Sequence, residues 1–312
     1  MAMQKYLRTG CFGVALGLIT AGPAAAANSW STGAPIPVAV QGPQSNVISG
    51  KIYVVGGGTS STNIVANTQI YNPATNSWST GAPIPVATAG GTAGVIKNIL
   101  YVFGGSTSTG FTNNVWAYDP KKNVWTSKAP MPTARTSEGA AVIKNIAYVV
   151  GGNGATQRLN KVESYNPVTN AWSTLAPLLV GKSEPSVAKS GSLLVAAGGY
   201  TTSGDTGDTE SYDPASNTWT ALHAEPVGTN ESCTGFAKGQ VLLLGGTNGS
   251  TAVNNSQGLK AKPNKWASVA PMPQASGNAA SAAYKNQIYC IGGGSSATGN
   301  GAIYNYVQIY TP

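Results

Sequence analysis

Charge is the scarcest property of this sequence. Only 9% of its 312 residues are charged, against about a quarter in ordinary proteins. Histidine occurs once, at His223, so no metal centre that needs several imidazoles can be assembled. Cysteine occurs three times, at Cys11, Cys233 and Cys290. Long apolar runs are missing too: the longest, residues 11–21, is too short to cross a bilayer as a helix. No Gly-x-Gly-x-x-Gly opens a helix, so nucleotide binding has no support, and no cofactor is expected. The lysines are scattered and lack interleaved aromatics, so nucleic acid is not an expected partner. What remains is abundant: 41% hydrophobic residues, 40 Gly, 19 Pro and 14 Tyr. That is the composition of a turn-rich all-β protein with a sizeable core, not of a disordered chain.

Residues 1–27 read differently from the rest. Lys5 and Arg8 form a basic start, an apolar run follows, and residues 24–27 are all alanine. This pattern predicts a secretory signal peptide cleaved near Ala27, with one domain over residues 28–312. Cys11 begins the apolar run rather than following it, which argues against a lipoprotein anchor. Export to a bacterial periplasm or to the cell exterior is therefore expected. Cleavage leaves 16 basic and 10 acidic residues, a net +6, and two cysteines. An exported chain is permitted a disulfide.

Residues 28–39, "NSWSTGAPIPVA", recur unchanged at residues 76–87. They belong to a larger repeat. Tryptophans stand at 30, 78, 125, 172, 219 and 266. A glycine pair follows each of them at one fixed distance, beginning at 56, 104, 151, 198, 245 and 292. Tyr71, Tyr118, Tyr165 and Tyr212 precede the next Trp by seven, and Leu259 replaces this tyrosine once. Trp116 lies outside the register. A period near 47 with a glycine pair, then Tyr, then Trp resembles the Kelch repeat. The resemblance spans residues 28–312 and implies a six-bladed β-propeller of four-stranded antiparallel blades.

Each unit supports this alone. A small-residue strand A is followed by an apolar strand B that ends at the glycine pair. Strand C ends in segments such as "ESYNP", and strand D begins at the Trp. Tight turns join A to B, as at Lys97-Asn98 and Lys144-Asn145. Trp30 begins a strand D with no A, B or C before it, while Tyr310 ends a strand C with no Trp after it. The two chain ends should therefore complete one blade and close the ring, which also removes a free edge.

This topology sends the D–A and B–C loops to one face and the A–B and C–D turns to the other. The turn face takes Lys51, Lys97, Lys121, Lys122, Lys144, Lys189, Lys238, Lys262, Lys265 and Lys285 against Asp119 and Asp213. These lysines serve turns and solubility, or they attach an envelope-surface structural protein to an anionic surface. The loop face carries the length variation, and binding usually resides on such loops. The last B–C loop is the longest and holds Tyr304 and Tyr306, an aromatic lip for a ligand or a cover for the blade end.

The starts of strands A should ring the central opening. They contribute Arg135, Lys182, Glu184 and Glu231, with Arg158, Tyr200, Asp205 and Asp208 in nearby loops. Glu184 and Glu231 occupy one repeat position on adjacent blades. Two carboxylates in one funnel are equipped for acid–base work, and Arg135 or Lys182 beside them for holding an anionic sugar; the plainer reading is a solvated salt-bridge belt. Asp205, Asp208 and Glu210 offer calcium ligands, although their spacing matches no known calcium loop. Cys290 takes a position filled by Val54, Val102, Val149, Ala196 and Leu243 elsewhere, so it is first a core residue. A Cys233–Cys290 bridge requires Cα atoms within about 7 Å.

The resemblance implies two chemistries. Six-bladed Kelch propellers include the bacterial periplasmic N-acetylneuraminate epimerases, which favours a sugar mutarotase or epimerase using Glu184, Glu231 and Arg135. Galactose oxidase is also of the Kelch class, but one histidine cannot build its copper site. The expected function is a monomeric binding module for a glycan, peptide or protein on the D–A/B–C face. Epimerase activity and lysine-face attachment are the alternatives.

Overall fold

The structure, a computed structural model, describes residues 28–296 and 301–312. The predicted signal peptide lies outside the described residues. Six four-stranded antiparallel sheets follow one another around a ring. Strands A to D of blade 1 are Gln44–Ile48, Lys51–Val55, Thr68–Asn72 and Ser77–Gly81. Those of blade 2 are Thr92–Ile96, Ile99–Phe103, Val115–Asp119 and Val124–Ser127. Blade 3 has Gly139–Ile143, Ile146–Val150, Val162–Asn166 and Ala171–Thr174. Blade 4 has Ser186–Ser190, Leu193–Ala197, Thr209–Asp213 and Thr218–Ala221. Blade 5 has Cys233–Ala237, Gln240–Leu244, Ser256–Lys260 and Lys265–Ser268. Blade 6 has Ala280–Tyr284, Gln287–Ile291 and Val307–Thr311, and its strand D is Ser29–Thr32 from the other end of the chain. Trp30 pairs with Tyr310 there, as Trp78 pairs with Tyr71 in blade 1. The expected closure of the ring is what the structure contains.

The core lies between blades. Strand B alternates its side chains to both neighbours, so nearly all its residues must be apolar. In blade 1, Ile52 and Val54 pack toward blade 6 with Tyr289 and Ile291, while Tyr53 and Val55 pack toward blade 2 with Leu100 and Val102. Strand D keeps one edge in water and reads as exposed Ser and Thr around its Trp. Blade 4 has only Gly191 at positive φ in its A–B turn; in the other five both central residues have positive φ, for example 51° at Lys97 and 62° at Asn98. That is the turn whose twist matches a hairpin. The glycine pairs also take positive φ, and a Cβ on Gly57 would stand 3.0 Å from the Gln41 carbonyl oxygen.

The repeat signature is an interblade staple. Each strand-D Trp donates its indole N–H to a carbonyl of the preceding blade: Trp78 to Ala34 at 2.8 Å, Trp125 to Ala82 at 2.9 Å, Trp266 to His223 at 2.8 Å. The asparagine two residues before the Trp accepts from the backbone N–H of that same residue, as Asn123 does from Ala82. The tyrosine hydroxyl donates to the same asparagine oxygen, at 2.6 Å for Tyr118 and Asn123. These asparagines have positive φ, a conformation asparagine tolerates. His223 serves this staple through its backbone. Cys233 on strand A of blade 5 is bonded to Cys290 on strand B of blade 6, with Cα atoms 5.7 Å apart.

Candidate functional site

A cavity of about 700 Å³ runs down the ring axis, walled by the six strands A. Its mouth is set by one residue per blade: Gly42, Gly90, Ser137, Glu184, Glu231 and Asn278. All six have φ between 55° and 66°. Their backbones form a hoop bonded at five of its six joints and open between Glu184 and Glu231. The N–H of Gly90 donates to the Gly42 carbonyl at 2.8 Å, Ser137 to Gly90 at 2.6 Å, Glu184 to Ser137 at 2.6 Å, Asn278 to Glu231 at 3.0 Å and Gly42 to Asn278 at 2.8 Å. Glycine fits such a conformation freely. A glutamate there is strained, and strain of this kind clusters at functional sites.

Glu184 and Glu231 therefore share one cavity, as their repeat position implied. Burial raises the carboxyl of Glu184, and the negative charge of Asp205 adds to this. The Ser137 hydroxyl and the Arg158 guanidinium act against the shift. Burial raises Glu231 well above the usual carboxylate range, with Glu184 and Asp205 pushing the same way and the Thr247 hydroxyl opposing. The Asn278 amide donates to Glu231 Oε1 at 3.1 Å, while Oε2 is buried and has no partner. Each carboxyl thus makes the other harder to ionise.

Beside the mouth, between the B–C loops of blades 3 and 4, lies a groove of about 680 Å³. Arg158, Asp205 and Asp208 line it. The Arg158 guanidinium sits 4.4 Å from the centre of the Tyr200 ring, and its Nε has no partner. Asp205 accepts from the Asn230 amide and from the Gly249 N–H, which ties the groove to blade 5. The expected residues Arg158, Tyr200, Asp205, Glu184 and Glu231 thus come together. Tyr304 and Tyr306 do not join them. They pack on each other at 5.1 Å on the blade 6 loop and line neither cavity.

Arg135 and Lys182 are also absent from the mouth. Both side chains are 0% exposed. Arg135 pairs with Glu163 and donates to the carbonyls of Gly151 and Lys161. Lys182 pairs with Glu210 at 3.1 Å and donates to the Asp208 carbonyl. The reason lies one register away. In blades 1, 5 and 6, Gln69, Gln257 and Gln308 on strand C clamp the incoming D–A loop, each accepting from its N–H and donating to its carbonyl. Blades 3 and 4 have Glu163 and Glu210 at that position, and a buried cation fills the gap. Trp116, outside the Trp register, holds the same clamp position in blade 2. Pairing with Lys182 also removes Glu210 from the calcium candidates, and among the described residues no group of three His, Cys, Asp or Glu is placed to hold a metal ion.

Besides Glu163, two buried acids were not expected from the sequence. Glu138, beside Ser137, is 6% exposed, and burial raises its carboxyl to about 8 despite Arg135 nearby. Glu225 is 4% exposed and raised by burial to about 8. Glu225 fills the position of Ile36, Ile84, Met131, Leu178 and Met272, all buried and apolar. That mismatch within the repeat was the available signal.

Six blades, interblade staples and a loop-faced mouth define a Kelch β-propeller. A family model of the KLHDC2/KLHL20/DRC7 Kelch-repeats domain matches residues 42–234, more than half the chain, and the chain belongs to this Kelch-repeat family. A solved structure titled "Structure of YjhT" shares the fold, with a TM-score of 0.77 over 88% of this chain and 95% of that one, at 18% identity. No curated protein matches the sequence.

Proposed function

We propose that this chain is a binding module that takes a polar, hydroxyl-bearing ligand of the glycan class at the channel mouth. One observation carries the reading: Glu184 and Glu231 line the mouth of the axial cavity, and the charges of Arg158 and Asp205 in the neighbouring groove act on Glu184. Carboxyl groups with free oxygens accept from hydroxyls, and a part-buried guanidinium with a spare N–H suits an acidic substituent. Tyr200 backs the guanidinium and keeps it in place. A location outside the cytoplasm belongs to the same proposal, supported by the Cys233–Cys290 bond and by the pattern of residues 1–27. Titration calorimetry against neutral and acidic sugars tests it. Binding should fall at least about tenfold in Glu231→Gln and in Arg158→Ala, the loss of about one hydrogen bond. Equal affinity in both variants sinks the reading, and a peptide ligand replaces the glycan if only peptides bind.

The carboxyl pair favours a second reading, a sugar mutarotase or epimerase. Two buried carboxyls that share one cavity and both hold protons more tightly than usual suit a reaction that needs a proton donated and a proton removed. Arg135, being buried, has no part in it. The Glu184→Ala/Glu231→Ala protein should then lose mutarotation of a bound sugar, and unchanged turnover ends this reading.

A further inference from the structure

The face opposite the mouth consists of short turns. In four blades the first residue of the A–B turn is a lysine: Lys97 at φ 51°, Lys144 at 49°, Lys238 at 43° and Lys285 at 48°. Positive φ suits glycine or asparagine and costs a long side chain roughly 1 kcal/mol. Turn chemistry therefore opposes lysine here and does not account for it. Blade 1 makes its turn from Ser49-Gly50 and places Lys51 next to it; blade 4 turns through Gly191 and carries Lys189 on strand A near the turn. Every blade thus brings one lysine to the far end of the channel.

The C–D turns add Lys121, Lys122, Lys260, Lys262 and Lys265. Lys260 was not expected there, but it ends strand C of blade 5 on this side. All eleven lysines are exposed. Among the described residues none of them is ion-paired to an acidic side chain, and Lys238 donates to the Pro312 carbonyl. Asp119 and Asp213, the two acids on this face, are used locally. Asp119 accepts from the Lys121 N–H at 2.9 Å, and Asp213 from the Ala215 N–H at 2.9 Å. Eleven minus two leaves +9 on one side of the ring.

Apolar side chains stand among these charges. Val168, at the C–D turn of blade 3, is 78% exposed. Val124 beside Lys122 is 44% exposed; Phe236, on strand A of blade 5, instead lines the axial cavity. The strands are four or five residues long in every blade, so the turns end at a similar level. The result is a studded plane rather than a groove.

We propose that this turn face docks on an anionic lipid bilayer. The lysines meet headgroup phosphates, and Val124 and Val168 enter the interfacial layer. Each lysine near such a surface contributes about 1 kcal/mol at physiological salt, and apolar insertion adds to it. A soluble acidic polymer would satisfy the lysines but would leave the valines in water. Docked this way, the ring holds its mouth away from the lipid, open to ligand. This proposal is independent of the ligand reading above.

Co-sedimentation of the full chain with phosphatidylcholine vesicles, with and without phosphatidylglycerol, tests it. Binding should require the anionic lipid and disappear in about 0.5 M NaCl, where the screening length shrinks to a few ångströms. The variant Lys97→Asn/Lys144→Asn/Lys238→Asn/Lys285→Asn suits its turns better than the native chain, so it should melt no lower. It should nevertheless bind more than about tenfold more weakly. Val168→Asp should weaken binding, whereas Arg158→Ala on the other face should not. Undiminished binding by the four-lysine variant overturns the proposal. So does binding that survives salt, as insertion of the apolar N-terminal segment would produce. Binding to polyphosphate but not to vesicles overturns it as well.

Discussion

The indole N–H of Trp30 donates to the carbonyl of Ala270 at 2.9 Å, joining residues 240 apart in sequence. The same bond elsewhere in the ring spans 43 or 44 residues. Asn28 completes the staple, accepting from the Ala270 N–H at 2.9 Å and from the Tyr310 hydroxyl at 2.6 Å. Blade 6 is thus built like the others, although its last strand comes first in the chain. Replacing Trp30 by alanine should cost about 3–5 kcal/mol, the usual range for losing a packed Trp. Removing residues up to Thr32 should cost more and bare the edge of Val307–Thr311, so aggregation should follow. Calorimetry of both proteins measures this, and an unaltered melt would remove the closure argument.

The Cys233–Cys290 bond ties blade 5 to blade 6, next to that closure, across a sequence separation of 57. A loop of this length corresponds to about 4 kcal/mol of lost unfolded-state entropy. Cys233→Ala with Cys290→Val keeps apolar packing and removes only the covalent link. The melting temperature should drop by several degrees, and reductant should then have no further effect.

Glu138 and Glu225 make stability depend on pH. In the unfolded chain each loses its proton near 4.5; in the folded chain burial holds it to about 8. Below 4.5 both states are protonated and nothing is lost. Between 4.5 and 8 the unfolded state alone ionises, so stability declines as pH rises, and above 8 the decline levels off. Glu225→Gln should flatten that decline and add about 1–3 kcal/mol at pH 7. Urea melts at several pH values between 5 and 8 provide the check. Parallel curves for the two proteins contradict it.

The strained hoop predicts a trade between stability and binding. Gly42 and Gly90 hold the backbone of Glu231 without a side chain. Glu231→Gly should therefore raise stability by about 1 kcal/mol while abolishing ligand binding at the mouth. A destabilised variant would show that the Asn278–Glu231 hydrogen bond outweighs the strain.

The ring was legible because one period carries it. Trp, glycine pair and Tyr each mark a fixed place in a blade, so the unmatched Trp30 and Tyr310 had to meet. The mouth was half legible. Glu184 and Glu231 stand where they were expected, whereas Arg135 and Lys182 are buried although they nearly adjoin Ser137 and Glu184. The left-handed residue turns the chain at that point, so neighbours in sequence leave in different directions. The missing clue was a paired change: glutamine becomes glutamate at 163 and 210 where a cation enters at 135 and 182. The disulfide required knowing that strand A of one blade packs on strand B of the next.

The strand at Trp30 is held by contacts that its own blade does not enclose covalently, and residues 28–39 duplicate residues 76–87. Closure is therefore a reversible association within one molecule. At high protein concentration a second chain can supply the same strand to blade 6 with every staple satisfied. Exchange of this segment would yield domain-swapped pairs or open chains of rings whose interface is made entirely of native contacts.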